Sequence, residues 1–506
     1  MIHRSPYAPI TLTGESITER VLRGLGEDRD RVVLIDGPSG RELAAGDLEV
    51  GIRRLGGGLR ARGIGKGDVI AILAPNCPEY AVVFHGVAFA GATVTTINPT
   101  YTAPEVAHQL QDSGARLLVT VPPFLDAARA AAGDVEVVVI GEAEGATPLS
   151  ALMGEALAEQ VPVDAARDVA VLPYSSGTTG LPKGVRLSHR NLVANVDQSL
   201  AVIGCDPGEW SVGFLPFFHI YGQTVLMNMH LAAGAGVITM PRFDLELFLT
   251  LVARHRTPTL FCAPPVAVAL AKHPLVDQFD LSCVERFFSG AAPLGAEVGD
   301  AVAARLGCQS VQGYGMTEMS PVSHATPRGH ARKGSVGVTL PSTECRIVVD
   351  GRDAGPGEAG ELWVRGPQVM LGYHNRPEAT AETLTADGWL RTGDLAEIDA
   401  EGWVHIRDRL KELIKVKGFQ VAPAEVEAAL LTSPMVRDAA VRGVPDEEAG
   451  EVPMAYVVAA DGADEAAIRT HLAAQLAHYK LPRRIVFVEA IPKSASGKIL
   501  RRMLPD

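Results

Sequence analysis

A run rich in glycine, serine and threonine at residues 174–185, YSSGTTGLPKGV, carries groups that bind phosphate. Its hydroxyls and unhindered backbone N–H groups can wrap phosphate oxygens, and Lys183 adds a positive charge at the far end. The run is not a Walker A loop, because Pro182 stands where that loop needs glycine and Gly184 where it needs serine or threonine. Composition alone favours a small polar surface turn equally.

The segment QGYGMTE, residues 312–318, could bind adenine and a metal ion. Tyr314 stands between two glycines, which leave the face of its flat ring open for stacking on adenine. The carboxylate of Glu318 can hold Mg²⁺, a hard ion that prefers oxygen ligands. A turn around a buried tyrosine is the alternative.

Two charged residues further along the chain could bind the sugar of a nucleotide. Asp394, in RTGD, follows a glycine turn, and a carboxylate can accept hydrogen bonds from two ribose hydroxyls. Arg409 could reach the same ribose or a phosphate. Each has a plainer alternative, since turn carboxylates and surface arginines are common.

Other basic residues are ambiguous when they are taken alone. His219 lies in the apolar run FFHIYG, where a histidine is more often packed in the core than catalytic. In LIKVKGFQ, strand alternation would put Lys415 and Lys417 on one face, as on an ordinary solvated edge strand. Lys498, in the basic segment SASGKILRR, would by itself belong to a frayed tail.

Alternating strand-like and helix-like segments must position these residues. VIAILAP at 69–75 predicts a buried strand before the helix EYAVVFHGVAFAG, and similar pairs recur as far as about residue 335. This alternation predicts an α/β fold with parallel-rich sheets flanked by helices. Beyond it, short strands predict a β-barrel-like part. A smaller α+β unit then follows, in which Pro423 starts one helix and DEAAIRTHLAAQLAHY at 464–479 forms another.

The charge balance also changes near residue 409. Residues 409–506 carry 14 Lys and Arg against 13 Asp and Glu, whereas residues 1–408 carry 32 against 46. A change in charge at the point where the element pattern changes predicts a domain boundary. We therefore expect a large N-terminal domain, 1–408, and a small C-terminal domain, 409–506.

Composition argues against several classes of protein. The net charge of −13 disfavours a nucleic-acid-binding surface. The longest apolar stretch, residues 81–94, is too short and too interrupted to span a membrane. Six scattered cysteines without a CxxC pair, and a start without a signal-peptide pattern, predict a soluble cytoplasmic protein.

The order of the motifs resembles that of one enzyme superfamily. YSSGTTGLPKGV is similar to the phosphate-binding signature of adenylate-forming enzymes, which comprise acyl-CoA synthetases, luciferases and peptide-synthetase adenylation domains. Further segments match the same superfamily in the same order: LPFFHIYG (215–222), SGAAPLG (289–295), QGYGMTE (312–318), GELWVRG (360–366), RTGD (391–394), RDRLKELIKVKGFQVAP (407–423) and SASGKILRR (494–502). Within the superfamily, GELWVRG and KELIKVKGFQVAPAE look most like 4-coumarate–CoA ligases.

The resemblance implies a two-step ligase that uses ATP, Mg²⁺ and coenzyme A. A carboxylate attacks ATP to give acyl-AMP and pyrophosphate, and the thiol of coenzyme A then forms an acyl-CoA thioester. The implied acid is 4-coumarate or cinnamate. The alternatives are a medium- or long-chain fatty acyl-CoA synthetase and an adenylating enzyme that loads a separate carrier protein. The expected partners are therefore the small acid, ATP and coenzyme A.

The resemblance also assigns roles to basic residues. Lys498 would carry the first step, because an ammonium beside the attacked α-phosphate lowers the barrier electrostatically. His219 would lie at the acyl carboxylate and the thiol tunnel, and is counted with both the catalytic and the substrate-binding residues. The small domain would be mobile and rotate about Lys411 for the second step. The residues that this rotation would bring to the site are Lys415 and Gln420 for catalysis, and Lys417 and Gly418 beside coenzyme A.

The remaining implied residues bind ATP, the metal and the acyl group. The ATP- or AMP-binding set is Ser175, Ser176, Gly177, Thr178, Thr179, Gly180, Lys183, Ala292, Gln312, Gly313, Tyr314, Thr317, Asp394 and Arg409, with Glu318 on the metal. The acyl pocket set is His219, Tyr221, Ala291, Gly313, Gly315, Pro321 and Val322. One position departs from the plant 4-coumarate ligases: Val225 stands where they carry a serine that can bond the ring hydroxyl. The choice among coumarate, cinnamate and fatty acids therefore stays open.

Overall fold

The computed structural model describes residues 1–175, 182–355, 357–417, 419–446, 449–494 and 497–505. Within these ranges the chain forms mixed sheets flanked by helices, and the predicted α/β class is confirmed. Part of the predicted phosphate run, Ser176 to Leu181, lies outside the described residues, and so does Gly418.

The first sheet carries the two ends of the phosphate run. Its parallel strands are, in spatial order, Val169–Ser175, Thr93–Thr96, Val69–Leu73, Ala115–Thr120, Glu136–Val139 and Thr147–Pro148. Lys183–Gly184 and Leu187–Ser188 pair antiparallel with the first of them. Val69–Leu73 is an unbroken apolar run because helices cover both faces of a parallel sheet. The strand predicted at 69–75 is therefore present.

Two further sheets complete the α/β part of the large domain. One contains Trp210–Gly213, Gly236–Thr239, Val32–Asp36 and Glu42–Ala44, and the other contains Thr259–Cys262, Arg286–Ser289, Gln309–Gly315, Val322–Ala325 and Val338–Thr339. The segments SGAAPLG and QGYGMTE meet because Arg286–Ser289 and Gln309–Gly315 are parallel neighbours that end at the same edge.

Helices pack on these sheets. Their bounds are Ile17–Leu25, Ala45–Ala61, Pro78–Phe89, Ala103–Ser113, Leu125–Ala132, His189–Val202, Met229–Ala233, Leu245–His255, Pro264–Lys272, Ala296–Leu306 and Pro377–Thr383, with a π-helix at Gly222–Asn228. Short 3₁₀ turns lie at Pro122–Phe124, Leu149–Leu152, Pro274–Gln278 and Thr317–Met319. In Pro78–Phe89 the proline occupies the first turn, where its missing N–H costs no helical hydrogen bond. No helix among the described residues is both long and apolar enough to cross a membrane.

An antiparallel sheet follows where a barrel-like part was expected. It contains His3–Arg4, Glu344–Val349, Arg352–Asp353, Gly360–Arg365, Leu390–Ile398 and Val404–Arg409. The register pairs Asp394 with Arg409, which fixes the two charged residues side by side.

The C-terminal part has its own core. Its sheet contains Phe419–Val421, Ile414–Val416, Gly450–Ala459, Val436–Asp446 and Arg484–Phe487, with helices at Pro423–Leu431 and Glu465–Ala473 and 3₁₀ turns at His478–Lys480 and Arg501–Met503. We refer to Pro423–Leu431 as the lid helix. One buried apolar cluster extends from Ile17 to Val404 and a separate one from Ile414 to Ile485. We therefore keep 1–408 and 409–506 as the working division into domains.

Two local predictions about this part are wrong. The helix expected over 464–479 ends at Ala473, because Leu476 and Tyr479 turn back to pack against the small core. Lys415 and Lys417 do not share one face of a strand, since the strand ends at Val416 and Lys417 lies in the turn at φ 48°. The strand is not an edge strand either, because Ile414–Val416 lies between Phe419–Val421 and Gly450–Ala459.

Candidate active site

A tyrosine, a carboxylate and a guanidinium meet at the edge between two sheets. The hydroxyl of Tyr314 donates to Oδ2 of Asp394 at 2.5 Å, and Nε of Arg409 lies 3.3 Å from Oδ1. Burial raises the pKa of Asp394, while the charge of Arg409 and the tyrosine O–H oppose that rise. We call Tyr314, Asp394 and Arg409 the nucleotide corner. The carboxylate presents acceptor oxygens beside an aromatic ring, as the binding of a ribose and an adenine requires.

Glu318 lies in the 3₁₀ turn that follows this tyrosine, and its side chain is buried. Its Oε1 accepts a hydrogen bond of 2.8 Å from the hydroxyl of Tyr373. Nζ of Lys183 lies 5.1 Å from the centre of the Tyr373 ring. The far end of the phosphate run is therefore next to the predicted metal ligand, while Ser175 lies at its near end, in register with Lys183. Nothing in the sequence indicated the role of Tyr373, which is 55 residues from Glu318.

The chemistry around Glu318 fits a magnesium ion. Within the described part of the chain, its Oε2 is buried and has no hydrogen-bond partner. Such an oxygen is costly unless a donor or a cation meets it. Among the same residues, no group of three or more His, Cys, Asp or Glu side chains could hold a metal ion. A single carboxylate suits Mg²⁺, which keeps several waters and takes its other ligands from substrate phosphates.

Lys498 comes to the same site from the C-terminal domain. Its loop is closed by hydrogen bonds from Lys498 N–H to Ser494 Oγ at 3.1 Å and from Ser494 N–H to Lys498 O at 2.8 Å. Next to it, a Cβ on Gly497 would lie 3.0 Å from Cβ of Ala263, so the loop rests directly on the large domain. Because Gly497 also has φ 84°, a side chain there would be both crowded and strained.

The charge of Lys498 acts on both halves of the site. Burial lowers the pKa of Lys498 and Arg409 lowers it further, while Glu412 and Asp394 oppose the shift. Burial lowers the pKa of His219 to about 4, and the charge of Lys498 adds to that effect. The lysine therefore lies within electrostatic reach of the nucleotide corner and of the predicted acyl side. His219 is neutral near pH 7, which suits a substrate-lining group better than a cationic one.

The residues predicted for the second step lie elsewhere on the small domain. Lys415 and Gln420 are exposed and are registered partners across the hairpin, and Lys415 N–H donates to Oε2 of Glu451 at 2.8 Å. Lys417 is exposed in the turn, and Lys411 is exposed in the connection between the two domains. In this orientation, therefore, Lys498 lies at the site, whereas the hairpin that contains Lys415 and Gln420 faces solvent.

The predicted acyl pocket combines an aromatic ring with close backbone approaches. A Cβ on Gly290 would come within 3.0 Å of the Tyr221 hydroxyl, so this glycine, which was not predicted, makes room for the ring. Within the described residues the hydroxyl of Tyr221 is buried without a hydrogen-bond partner. Val225 follows in the π-helix and is fully buried. The sequence signal for Gly290 was its place in SGAAPLG.

Two glycines of the predicted acyl pocket have no room for a side chain, because other parts of the protein pack directly against them. A Cβ on Gly313 would lie 2.7 Å from Cζ of Phe288, and one on Gly315 would lie 2.1 Å from the carbonyl oxygen of Pro321. Pro321 and Val322 are buried, whereas Ala291 is exposed and has φ 72°. The other predicted nucleotide residues line the same sheet edge: Gln312 and Gly313 in the strand, Thr317 in the turn and Ala292 in the neighbouring loop.

The chain matches known family profiles over most of its length. A profile described as AMP-binding enzyme matches residues 23–374, and one described as AMP-binding enzyme C-terminal domain matches residues 425–498. The chain belongs to the AMP-binding enzyme family. The predicted membership of the adenylate-forming superfamily is thereby confirmed, and with it the enzyme class, an AMP-forming acid–thiol ligase.

This AMP-binding enzyme is similar along its length to proteins named 4-coumarate–CoA ligase. It is 43% identical to 4-coumarate–CoA ligase 5 of Oryza sativa subsp. japonica, over 96% of this chain and 93% of that protein. It is 42% identical to 4-coumarate–CoA ligase 1 of Petroselinum crispum, over 94% of this chain and 91% of that protein. The predicted likeness to this subfamily is confirmed.

Solved structures agree on the fold of this AMP-binding enzyme. The anthranilate CoA ligase AuaEII, in complex with anthranoyl-AMP, superposes with a TM-score of 0.90 at 27% identity and covers 97% of both chains. ATP-bound MatB from Rhodopseudomonas palustris superposes with a TM-score of 0.87 at 31% identity, over 96% of this chain and 98% of that one. The α/β fold of this chain, with a large N-terminal part and a smaller C-terminal part, is consistent with that of these adenylate-forming enzymes.

Proposed function

We propose that this protein is an ATP-dependent carboxylic acid–CoA ligase whose acid is an aryl-propenoic acid such as cinnamate or 4-coumarate. The observation that carries the proposal is that the loop of Lys498 packs directly on Ala263 of the large domain, with the lysine within electrostatic reach of His219 at the acyl side and of Asp394 and Arg409 at the nucleotide side. An ammonium in that position can stabilise charge that develops between the two substrates.

In the first half-reaction, an oxygen of the substrate carboxylate attacks the α-phosphorus of ATP. The new O–P bond forms as the bond to the β-phosphate breaks, and pyrophosphate leaves. Tyr314 and Asp394 orient the nucleoside, while Lys498 offsets the negative charge on the attacked phosphoryl group. The carboxylate is already ionised at neutral pH, so no general base is needed. Glu318 would hold Mg²⁺, which when bound neutralises charge on the departing phosphates.

In the second half-reaction, the sulfur of coenzyme A attacks the acyl carbon of acyl-AMP. The thioester C–S bond forms, the C–O bond to AMP breaks and the thiol proton passes to solvent. In this step Lys415 and Gln420 take the place that Lys498 occupied at the site in the first step. Lys417 and Gly418 then lie beside the thiol arm of coenzyme A. The supporting observation is that the hairpin is exposed and outside the site while Lys498 is inside it. A rotation about Lys411 would exchange them.

The acyl group is proposed from the apolar lining and from the relatives' names. Val225 is buried and cannot hydrogen-bond a ring hydroxyl, so the pocket distinguishes weakly between cinnamate and 4-coumarate. A fatty acid would use the same apolar lining, and a carrier protein would replace coenzyme A in the second step. Release of AMP that depends on coenzyme A separates the ligase from a carrier-loading enzyme.

Paired variants test the division of labour between the two lysines. Lys498→Ala should slow acyl-AMP formation from acid and ATP by roughly a hundredfold or more, yet leave thioester formation from supplied acyl-AMP largely intact. Lys415→Ala should show the opposite pattern. The two half-reactions are followed separately, by pyrophosphate release and by thioester absorbance. Equal losses in both half-reactions for either variant would contradict the assignment.

A further inference from the structure

The lid helix is held at both ends by side chains of the large domain. At its start, Oδ2 of Asp408 accepts a hydrogen bond of 3.0 Å from the backbone N–H of Ala424. At its end, Nζ of Lys272 donates to the carbonyl oxygen of Leu431 at 3.3 Å and to that of Val436 at 3.4 Å. A carboxylate at the N-terminus and an ammonium at the C-terminus both complement the helix dipole.

The lid helix is capped only in part by its own domain. Its N-cap residue is Ala422, which has no polar side chain, and its last turn contains no basic residue. Helix ends leave N–H and C=O groups that need partners from outside the helix. Within the small domain, Thr432 Oγ1 donates to the carbonyl oxygen of Ala429 at 2.7 Å and Ser433 N–H to that of Leu430 at 3.1 Å. In this orientation Lys272 supplies the donor for the next carbonyl group, that of Leu431, and Asp408 supplies a side-chain acceptor at the N-terminus.

A close backbone approach between these two ends completes the contact. A Cβ on Gly295 would lie 3.3 Å from Cβ of Ala428, which is in the middle of the lid helix. The helix thus touches the large domain at its start, its middle and its end. All three contacts join residues on opposite sides of Lys411 in the sequence, so a rotation about Lys411 must break them together.

The lid helix is also joined to the catalytic lysine. Arg501, three residues after Lys498, donates to Oε1 of Glu427 on the lid helix at 2.7 Å and lies 2.8 Å from Oε2 of Glu412. It also donates to the carbonyl oxygen of Val441 at 2.9 Å. These partners belong to the small domain, so helix, Arg501 and Lys498 would move as one body.

We propose that Asp408 and Lys272 are positioning residues for acyl-AMP formation. They hold the lid helix by its two ends, and through Arg501 this places Lys498 at the nucleotide corner. Release of both ends accompanies the second half-reaction. The inference rests on the proposed function, since it requires two half-reactions that use different orientations.

Removal of one end of this clamp should affect the half-reactions unequally. Lys272→Met removes the donor and its charge but keeps the apolar stem. It should slow acyl-AMP formation by about two- to fivefold, as expected for one helix-terminal charge, without slowing thioester formation from supplied acyl-AMP. The matched control is Lys333→Met, because Lys333 bonds Asp300 at 2.6 Å within the large domain. The control should leave the ratio of the two rates unchanged.

The ratio of the two rates distinguishes a clamp from a contact that only stabilises the fold. If Lys272 only stabilised the fold, Lys272→Met would lower both half-reactions equally or shift the ratio no more than Lys333→Met does, and either result overturns the proposal. A failure of the proposed function is recognised independently, because the wild-type protein would then release no pyrophosphate with any acid tested.

A disulfide tests whether the helix must leave. In the double variant Gly295→Cys with Ala428→Cys, the Cβ atoms would be 3.3 Å apart, close to the roughly 3.5–4.5 Å of natural disulfides. The oxidised, cross-linked protein should form acyl-AMP but not thioester, and a reductant should restore the thioester. Thioester formation at the full rate by cross-linked protein would overturn the proposal. Failure of the two cysteines to cross-link under oxidant would contradict the close approach on which it rests.

Discussion

Removal of the Tyr314 hydroxyl should weaken ATP binding while the ring that we propose stacks on adenine is kept. Tyr314→Phe deletes the 2.5 Å hydrogen bond to Asp394. A hydrogen bond to a charged group contributes about 1.5–3 kcal/mol. Because Arg409 still lies 3.3 Å from the other carboxylate oxygen, we expect the lower end of that range. About 1.4 kcal/mol corresponds to a tenfold rise in the KM for ATP, with kcat little changed.

The same variant should be more sensitive to acid. Burial raises the pKa of Asp394 and the tyrosine O–H counteracts this, so its loss should raise that pKa further. Protonation of Asp394 would weaken it as the proposed acceptor for ribose, and the KM for ATP should therefore climb more steeply as pH falls. The assay is pyrophosphate release at saturating acid from pH 8 to pH 5. Tyr80→Phe is the control, since the Tyr80 hydroxyl is buried without a partner among the described residues. A KM for ATP within twofold of the wild type would refute the reasoning.

Three further predictions concern the acyl pocket, the metal ligand and acid stability. Val225→Ser should raise kcat/KM for 4-coumarate relative to cinnamate by roughly three- to tenfold, the contribution of a neutral hydrogen bond; an unchanged ratio would remove Val225 from the pocket. Tyr373→Phe frees one oxygen of Glu318 and should raise the Mg²⁺ concentration for half-maximal rate several-fold, measured by magnesium titration; an unchanged titration would contradict this role. Burial lowers the pKa of His85 and His324 to about 3. As the pH falls below 6.5, these two histidines become protonated in the unfolded chain but stay neutral in the folded protein. The free energy of unfolding should therefore fall by about 1.4 kcal/mol per pH unit for each histidine between pH 6.5 and pH 3. Urea unfolding from pH 7 to pH 5 should give a shallower slope for His324→Gln, and an identical slope would contradict the account.

Elements with strong local signals could be predicted from the sequence. The apolar run of Val69–Leu73 and the proline that starts the lid helix are examples, because the length of a buried run and the fixed φ of proline act locally. The turn at Lys417 was missed although it had a signal. Lys417 follows the strand that ends at Val416, and the next strand begins at Phe419; the tight hairpins that join such strands favour positive φ.

Long-range pairing could not be predicted from one sequence. The motif residues Asp394 and Arg409 were named, but their side-by-side register depends on how two strands align. Tyr373 and Lys272 carry no motif, and their partners Glu318 and Leu431 are brought to them only by the packed fold. The helix expected over 464–479 shows the same limit, because packing on the small core overrides a helix-favouring composition.

The most direct test of the proposed function is a panel of carboxylic acids assayed with and without coenzyme A. The panel contains cinnamate, 4-coumarate and saturated fatty acids of increasing length, and both pyrophosphate and AMP are measured. We predict pyrophosphate release with the aryl-propenoic acids above all others, and AMP release only when coenzyme A is present. Absence of pyrophosphate release with every acid, or AMP release that does not depend on coenzyme A, would contradict the central claim.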